Sequence, residues 1–177
     1  SKNKSYRILT TREPTNGTYG KEIRNILAME KDPNINAEKL LDLFVNDREE
    51  HLENTIIPFL KKSNEHEVNI VICDRYYYST IAFQATQGLG IEMLVKKNEK
   101  FLKPDVAFIL DVMPEVALER IKYREKEKFE RLEFMKRLRE KFLGLPKLLN
   151  DNIKVIDASK DLDMVFEDIK KEIDKLL

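Results

Sequence analysis

The most restrictive feature of this sequence is a nearly continuous apolar run at residues 68–73, in which four of the six residues are β-branched. Such a run is typical of a parallel strand that is covered on both faces. Further runs at residues 106–112 and 154–158 predict two more strands, and residues 6–10 predict a shorter one. Segments with helical spacing separate them. This alternation predicts an α/β fold with a mainly parallel sheet flanked by helices.

Helical segments are predicted between and after the strands. A short helix is expected around Ile23 and Leu27, and a long one over residues 37–60, which Pro58 should kink or end. Residues 161–177 predict the last helix. The highly charged stretch at residues 115–149 predicts a helix pair with an exposed, mobile middle near residues 122–131. The alternative is a solvated helix whose charges pair with one another.

Composition limits the function classes. A length of 177 residues suits one domain, and the 32 basic and 32 acidic side chains give no reason to expect nucleic-acid or membrane binding. No apolar stretch approaches the ~20 residues of a membrane span, so the cytoplasm is expected. The single Cys73 excludes an internal disulfide and a thiolate metal cluster within one chain. His51 and His66 lack ligand spacing, so a metal site built on them is not expected.

Polar side chains follow the predicted strands. Arg12 and Glu13 follow the first, Asp74 and Arg75 follow the run at 68–73, and Asp111 ends a third. Ligands of open α/β sheets bind beyond the carboxyl ends of the strands. An arginine fork matches phosphate oxygens, and a nearby carboxylate can hold Mg²⁺. From spacing alone, an ion pair at the strand end is an equally good interpretation.

Two further pairs could bind a nucleotide. Phe44 and Arg48 are four residues apart, so they share one face of the long helix and could stack a base and hold a phosphate. Phe83 and Gln84 could pack on a sugar and read a base edge. In isolation, a core phenylalanine beside a surface arginine is the better interpretation of the first pair.

Together these segments resemble the thymidylate kinase family, within the P-loop nucleoside monophosphate kinases. The resemblance runs through most of the chain, in family order. Five motif groups carry it. The first two are Thr11-Arg12-Glu13-Pro14 with Gly17 and Ile23-Arg24, and Leu43-Phe44 with Asp47-Arg48 and Ile57-Pro58. The other three are Asp74-Arg75-Tyr76 with Ser79, Ala82-Phe83-Gln84 and Gly88; Lys103-Pro104-Asp105 with Leu110-Asp111-Val112 and residues 114–120; and residues 129–134.

The resemblance implies a single domain over residues 1–177, with a mobile lid around residues 122–134, that transfers phosphate from ATP to thymidine monophosphate with Mg²⁺. It implies a homodimer. Catalytic roles fall to Asp74, Arg75 and Arg131, with Asp74 organising the metal. Arg124 and Arg131 would reach the transferring phosphate of ATP from the lid. Arg12, Arg48 and Arg75 would bind the phosphate of thymidine monophosphate or orient the transfer, and Glu13 is a further substrate-binding residue. Phe44 would stack on the base, Phe83 would pack on the sugar and Gln84 would read the base edge.

One family feature is absent from these residues. The family begins with a strand, a G-x-x-x-x-G-K-[ST] loop and a helix, and the 177 residues contain no such motif. We therefore expect that a central strand and roughly 25 leading residues are missing, and that this chain alone is inactive. The alternatives are a kinase of another nucleoside monophosphate or a deoxynucleoside kinase, and a degenerate paralogue that binds a nucleotide or a partner without catalysis.

Overall fold

A computed structural model describes residues 5–29, 35–63, 66–121 and 132–177. The chain forms two compact units, Ser1–Leu102 and Lys103–Leu177, each with its own parallel strand pair. None of the helices in the described part of the chain is long and apolar enough to cross a membrane. The α/β class and the parallel pairing predicted from the sequence are confirmed.

The first unit is built on two parallel strands, β1 (Ser5–Arg12) and β2 (Glu67–Asp74). They pair in register from Ser5 opposite Glu67 to Arg12 opposite Asp74. Both strands extend beyond the apolar runs that predicted them, because the ladder of backbone hydrogen bonds continues into the polar residues. The carboxyl ends of β1 and β2 therefore meet at one edge.

Helix α1 (Thr18–Met29) and helix α2 (Ala37–His51) share a core in which Ile23, Leu40 and Leu43 are buried. The helical path continues as a π-helical turn, Leu52–Ile56, and helix α3 (Ile57–Leu60). Pro58 was expected to kink or end the helix. The helical path continues through Pro58, which lies at the start of α3 directly after the π-helical turn, where the first residues of a helix have no intrahelical partner for an N–H that proline lacks.

Helix α4 (Tyr77–Thr86) is the interior helix of this unit, since eight of its ten residues are buried. Helix α5 (Ile91–Asn98) follows it and carries the buried Leu94 and Asn98. The turn between these helices contains Gly88 at φ 100°, a left-handed conformation that a side chain would strain.

The second unit pairs β3 (Ala107–Asp111) with β4 (Ile153–Asp157), again parallel and in register. Helix α6 is Pro114–Ile121, helix α7 is Leu132–Leu148 and helix α8 is Leu162–Ile173. Helix α7 packs on both strands and α8 packs on β4. Two helices thus form within the stretch predicted as a helix pair, and its predicted mobile middle lies outside the described residues.

The expectation that the strand at residues 68–73 is covered on both faces is wrong for the described residues. Ile8 keeps 59 % of its surface exposed and Ile72 keeps 52 %. Both belong to the face of the β1–β2 pair that also carries Tyr6, Thr10 and Arg12, and residues 9, 11, 69, 71 and 73 on the other face are better covered. The β-branched composition is therefore compatible with one open face.

Candidate active site

The carboxyl ends of β1 and β2 place two exposed side chains, Arg12 and Asp74, at one rim. Arg12 and Asp74 are register partners, and Glu13 N–H donates to the carbonyl of Asp74 at 3.0 Å, which extends the pairing by one residue. An open cleft of about 670 Å³ lies here. Its lining comes from residues between 10 and 17, from residues between 50 and 55, and from Asp74.

Arg75 adjoins this rim in a left-handed backbone conformation, at φ 66°. Its guanidinium carbon lies 5.8 Å from the ring centroid of Phe83. Among the residues that the structure describes, the side chains of Arg12, Asp74 and Arg75 make no hydrogen bond or ion pair with one another or with other groups. The strand-end ion pair between Asp74 and Arg75 therefore does not form there, and the three charged groups remain available to a ligand.

A buried ion pair lies directly behind the rim. The side chain of Arg48, only 1 % exposed as a residue, donates from Nε and Nη2 to Oε2 of Glu13 at 2.9 and 2.7 Å. Its Nη1 donates to Asn98 at 2.7 Å, and Nη2 also donates to Thr80 at 3.0 Å. The guanidinium stacks between the rings of Tyr76 and Phe101, with centroids at 5.0 and 5.3 Å. Every nitrogen of the Arg48 fork is thus engaged within the protein.

His51 extends this network to the cleft. Its Nδ1 lies 3.2 Å from Oε1 of Glu13, and its Nε2 lies 2.7 Å from the hydroxyl of Thr11. Glu13, His51 and Cys73 together bring one potential ligand atom each within 4.8 Å of one another. Burial raises the pKa of Cys73 to about 12, with the Glu13 carboxylate adding to the effect. The Cys73 thiol is protonated, and the Glu13 carboxylate and the His51 imidazole already make hydrogen bonds within the protein. These three groups therefore form part of a hydrogen-bonded network, which is a better interpretation than a metal centre.

Asp47 anchors the loop that follows β1. Its fully buried carboxylate accepts from the Thr15 N–H at 2.8 Å and from the Thr15 hydroxyl at 2.6 Å. The loop packs closely on helix α1, where a Cβ at Gly20 would lie 1.9 Å from the Thr15 carbonyl oxygen. Only glycine fits at this approach. Helices α1 and α2 therefore hold the loop that presents Arg12.

The residues expected to hold the base lie on α2 and α4. Phe44 is half-buried and packs against the core of Ile23, Leu40 and Leu43. Gln84 is only 1 % exposed, and its Nε2 donates to Oε1 of Gln87 at 3.1 Å. Oε1 of Gln84 is buried without a hydrogen-bond partner within the described part of the chain. The predicted roles of these residues stay predictions.

Two expected site residues, Arg124 and Arg131, lie outside the described residues, as does most of the predicted lid. Asp111 lies in the second unit, where the fork of Arg139 donates to its two carboxylate oxygens at 2.6 and 2.8 Å. The sequence did not indicate that His51, Asp47 and Asn98 support the site. The helical spacing of Asp47, Arg48 and His51 places them on one side of α2, which is a signal that could have drawn attention to them.

The family model described as thymidylate kinase matches residues 1–169. The chain belongs to the thymidylate kinase family. It is thus a nucleoside monophosphate kinase, as the sequence motifs predicted. The probable thymidylate kinase of Archaeoglobus fulgidus is 35 % identical over 99 % of this chain and 84 % of the relative. That of Methanococcus maripaludis is 42 % identical, over 92 % and 80 %. The thymidylate kinase of Acholeplasma laidlawii is 33 % identical, over 98 % and 87 %.

Proposed function

We propose that this kinase transfers the terminal phosphoryl group of ATP to thymidine monophosphate, giving ADP and thymidine diphosphate. The observation that carries the proposal is the rim at which Arg12, Asp74 and Arg75 are exposed and unpaired among the described residues. Two guanidinium groups there can neutralise a monophosphate and orient it. Phosphoryl transfer depends on positioning and charge neutralisation, so this arrangement suits the reaction.

Each group of side chains has a proposed task. Arg12 and Arg75 hold the phosphate of the monophosphate, and Phe44 stacks on its base. Phe83 packs on the sugar and Gln84 reads the base edge. Arg48 and Glu13 shape this site from behind, since their charges are paired with each other. The loop anchored by Asp47 keeps Arg12 at the rim.

Asp74 fits a magnesium ion. Its carboxylate is exposed on the cleft and has no side-chain partner among the described residues, and Mg²⁺ prefers oxygen ligands. Asp74 would hold the ion directly or through its water, and the ion would supply neutralising charge to the phosphates. We further propose that Arg124 and Arg131 contact ATP, and that the enzyme is a homodimer, as the family resemblance implies.

The phosphate loop for ATP is proposed to come from outside residues 1–177. These residues contain no G-x-x-x-x-G-K-[ST] motif, whose backbone amides would cradle the phosphates. A preceding helix that packs on this sheet would also cover the open face that Ile8 and Ile72 leave exposed. On this proposal the 177-residue chain binds thymidine monophosphate but transfers nothing.

The test measures ADP release with ATP, Mg²⁺ and a panel of nucleoside monophosphates. It uses the 177-residue chain and a version preceded by the strand, loop and helix of a relative. We expect turnover only in the longer protein and fastest with thymidine monophosphate. Faster turnover with another monophosphate would change the proposed substrate. Thymidylate binding without turnover in either protein would favour a non-catalytic paralogue.

A further inference from the structure

A row of polar residues lies along one face of helix α4. Thr80, Gln84 and Gln87 follow at intervals of four and three residues, so they share a face of the helix. Thr80 accepts a hydrogen bond from Arg48, which places this face toward α2. All three residues are at most 8 % exposed. The row is therefore an interior polar surface that faces α2 at Arg48.

The two glutamines of this row are hydrogen-bonded in one direction. Nε2 of Gln84 donates to Oε1 of Gln87 at 3.1 Å. That bond occupies the amino group of the Gln84 amide, which leaves its carbonyl oxygen buried and without a donor among the described residues. Buried acceptors in native proteins are almost always paired. The Gln84 oxygen therefore has an unused acceptor site that a donor on a bound ligand can fill.

We propose that Gln87 is a positioning residue that fixes the Gln84 amide with its oxygen facing the base. The inference rests on the proposed function and assigns the selection of the base to a residue that the resemblance does not include. Thymine carries an N–H donor at N3, whereas cytosine has a lone pair there. The fixed oxygen of Gln84 accepts from thymine. With cytosine, the Gln84 oxygen and the N3 lone pair are two acceptors that face each other without a proton between them. A site built to make one hydrogen bond binds a base that cannot make it much more weakly.

Removing the acceptor at position 87 frees the amide to rotate. Gln84 can then present Nε2 to the ligand and donate to cytosine. Discrimination between the two bases falls, and most of the loss comes from better binding of cytidylate. A purely structural role for Gln87 would weaken the binding of both nucleotides by the same factor, so the ratio of the two dissociation constants separates the explanations.

The experiment measures the dissociation constants of the 177-residue chain for deoxythymidine and deoxycytidine monophosphate by calorimetry. We expect the wild type to prefer thymidylate by about a hundredfold or more, and Gln87→Met to lower that ratio by about tenfold or more. Gln87→Glu keeps an acceptor for Nε2 of Gln84, so it should keep the ratio within about threefold of wild type.

Thr86→Val is the matched control. The Thr86 hydroxyl donates to the Ala82 carbonyl at 2.8 Å, so this variant removes a buried hydrogen bond from the same end of α4 without touching Gln84. Its ratio should stay at the wild-type value. If Gln87→Met does not fold by circular dichroism, Gln87→Asn takes its place, since the shorter side chain stays polar but falls short of Gln84.

An unchanged ratio in Gln87→Met, or an equal loss in Gln87→Glu, overturns the inference. Equal binding of the two nucleotides by the wild type also overturns it, but leaves thymidylate as a substrate. A wild type that binds no thymidylate at all overturns both the inference and the proposed function.

Discussion

Arg48 and Glu13 form a bidentate-like contact in which two guanidinium nitrogens donate to the same carboxylate oxygen, at 2.9 and 2.7 Å. Both residues are at most 4 % exposed. The pair joins helix α2 to the loop behind the phosphate rim. This geometry indicates that Arg48 supports the shape of the site. A direct contact between Arg48 and the phosphate of the substrate stays a prediction from the sequence.

Arg48→Ala should lower the free energy of unfolding by about 3–5 kcal/mol, because it leaves the Glu13 carboxylate buried without its cation. Urea unfolding followed by circular dichroism measures this. The control is Lys100→Ala, which breaks the exposed ion pair between Lys100 and Glu49 at 2.7 Å and should cost about 0–1 kcal/mol. Similar losses in the two variants would show that the buried pair is not a structural support.

The sequence predicted the strands well because their signal is local. The run at residues 68–73 lies within β2, and the polar pair that follows it does lie at the strand end. Arg48 was expected beside a ligand, and its burial depends on Glu13, which lies 35 residues away in the chain. No local pattern indicates that pairing. His51 was not expected to bind a metal because it lacks ligand spacing, and its partners Thr11 and Glu13 lie 40 and 38 residues away in the chain.

The open sheet face has a different explanation. The β-branched run at residues 68–73 predicted burial on both faces of β2, whereas Ile72 of β2 and Ile8 of β1 are half exposed in the described structure. The β-branched composition shows that a strand is compatible with burial on both faces. Whether a face is buried depends on which other segments of the protein pack on it. The same limit applies to the base-reading residues, since the hydrogen bond from Gln84 to Gln87 depends on rotamers that spacing does not determine.

Phe44→Ala should weaken thymidylate binding by about 1–3 kcal/mol, by analogy with aromatic stacking on nucleic-acid bases. Phe44 also packs on the α1–α2 core, so the variant should lose stability too, and calorimetry must be done well below its melting temperature. Phe59→Ala is the control, because Phe59 is another half-buried phenylalanine of the same unit whose ring lies beneath Arg7 of β1 and has no proposed contact with the base. Unchanged affinity in Phe44→Ala would leave this ring a core residue only.

Cys73 should react slowly with iodoacetamide. Burial, with the Glu13 charge adding to it, raises the pKa of its thiol from 9.0 to about 12. A rise from 9.0 to about 12 is three pH units, so the thiolate fraction near pH 8 should be about a thousandfold lower than in an unfolded chain. Alkylation followed by mass spectrometry, with and without urea, measures the difference. Equal rates in the two states would contradict the shift.

The same shift has a consequence for stability. Because the folded pKa is raised, the unfolded chain releases this proton first as the pH increases. The contribution of Cys73 to stability is therefore complete below pH 9.0 and is lost as the pH rises toward about 12. In Cys73→Ser, the free energy of unfolding should therefore fall less steeply as the pH rises above 9.0. If the fall is as steep as in the wild type, groups other than Cys73 cause it.

Arg75→Lys tests the phosphate site most directly. The substitution keeps the charge but removes the planar fork, so thymidylate binding and transfer in the longer protein should fall by about tenfold or more. Stability should hardly change, because Arg75 is exposed and makes no ion pair with the described carboxylates. Steady-state kinetics and thermal melts on the same preparations measure both quantities.

Arg7→Lys is the matched control for Arg75→Lys. Arg7 is also an exposed arginine over a phenyl ring, 5.6 Å from the centroid of Phe59, compared with 5.8 Å for Arg75 and Phe83. It lies on β1, away from the rim, and pairs with Glu67 at 3.7 Å. Loss of ring stacking alone should therefore affect the melting temperature of both variants similarly, while only Arg75→Lys loses phosphate binding. An Arg75→Lys protein that melts early but turns over normally would remove Arg75 from the phosphate site.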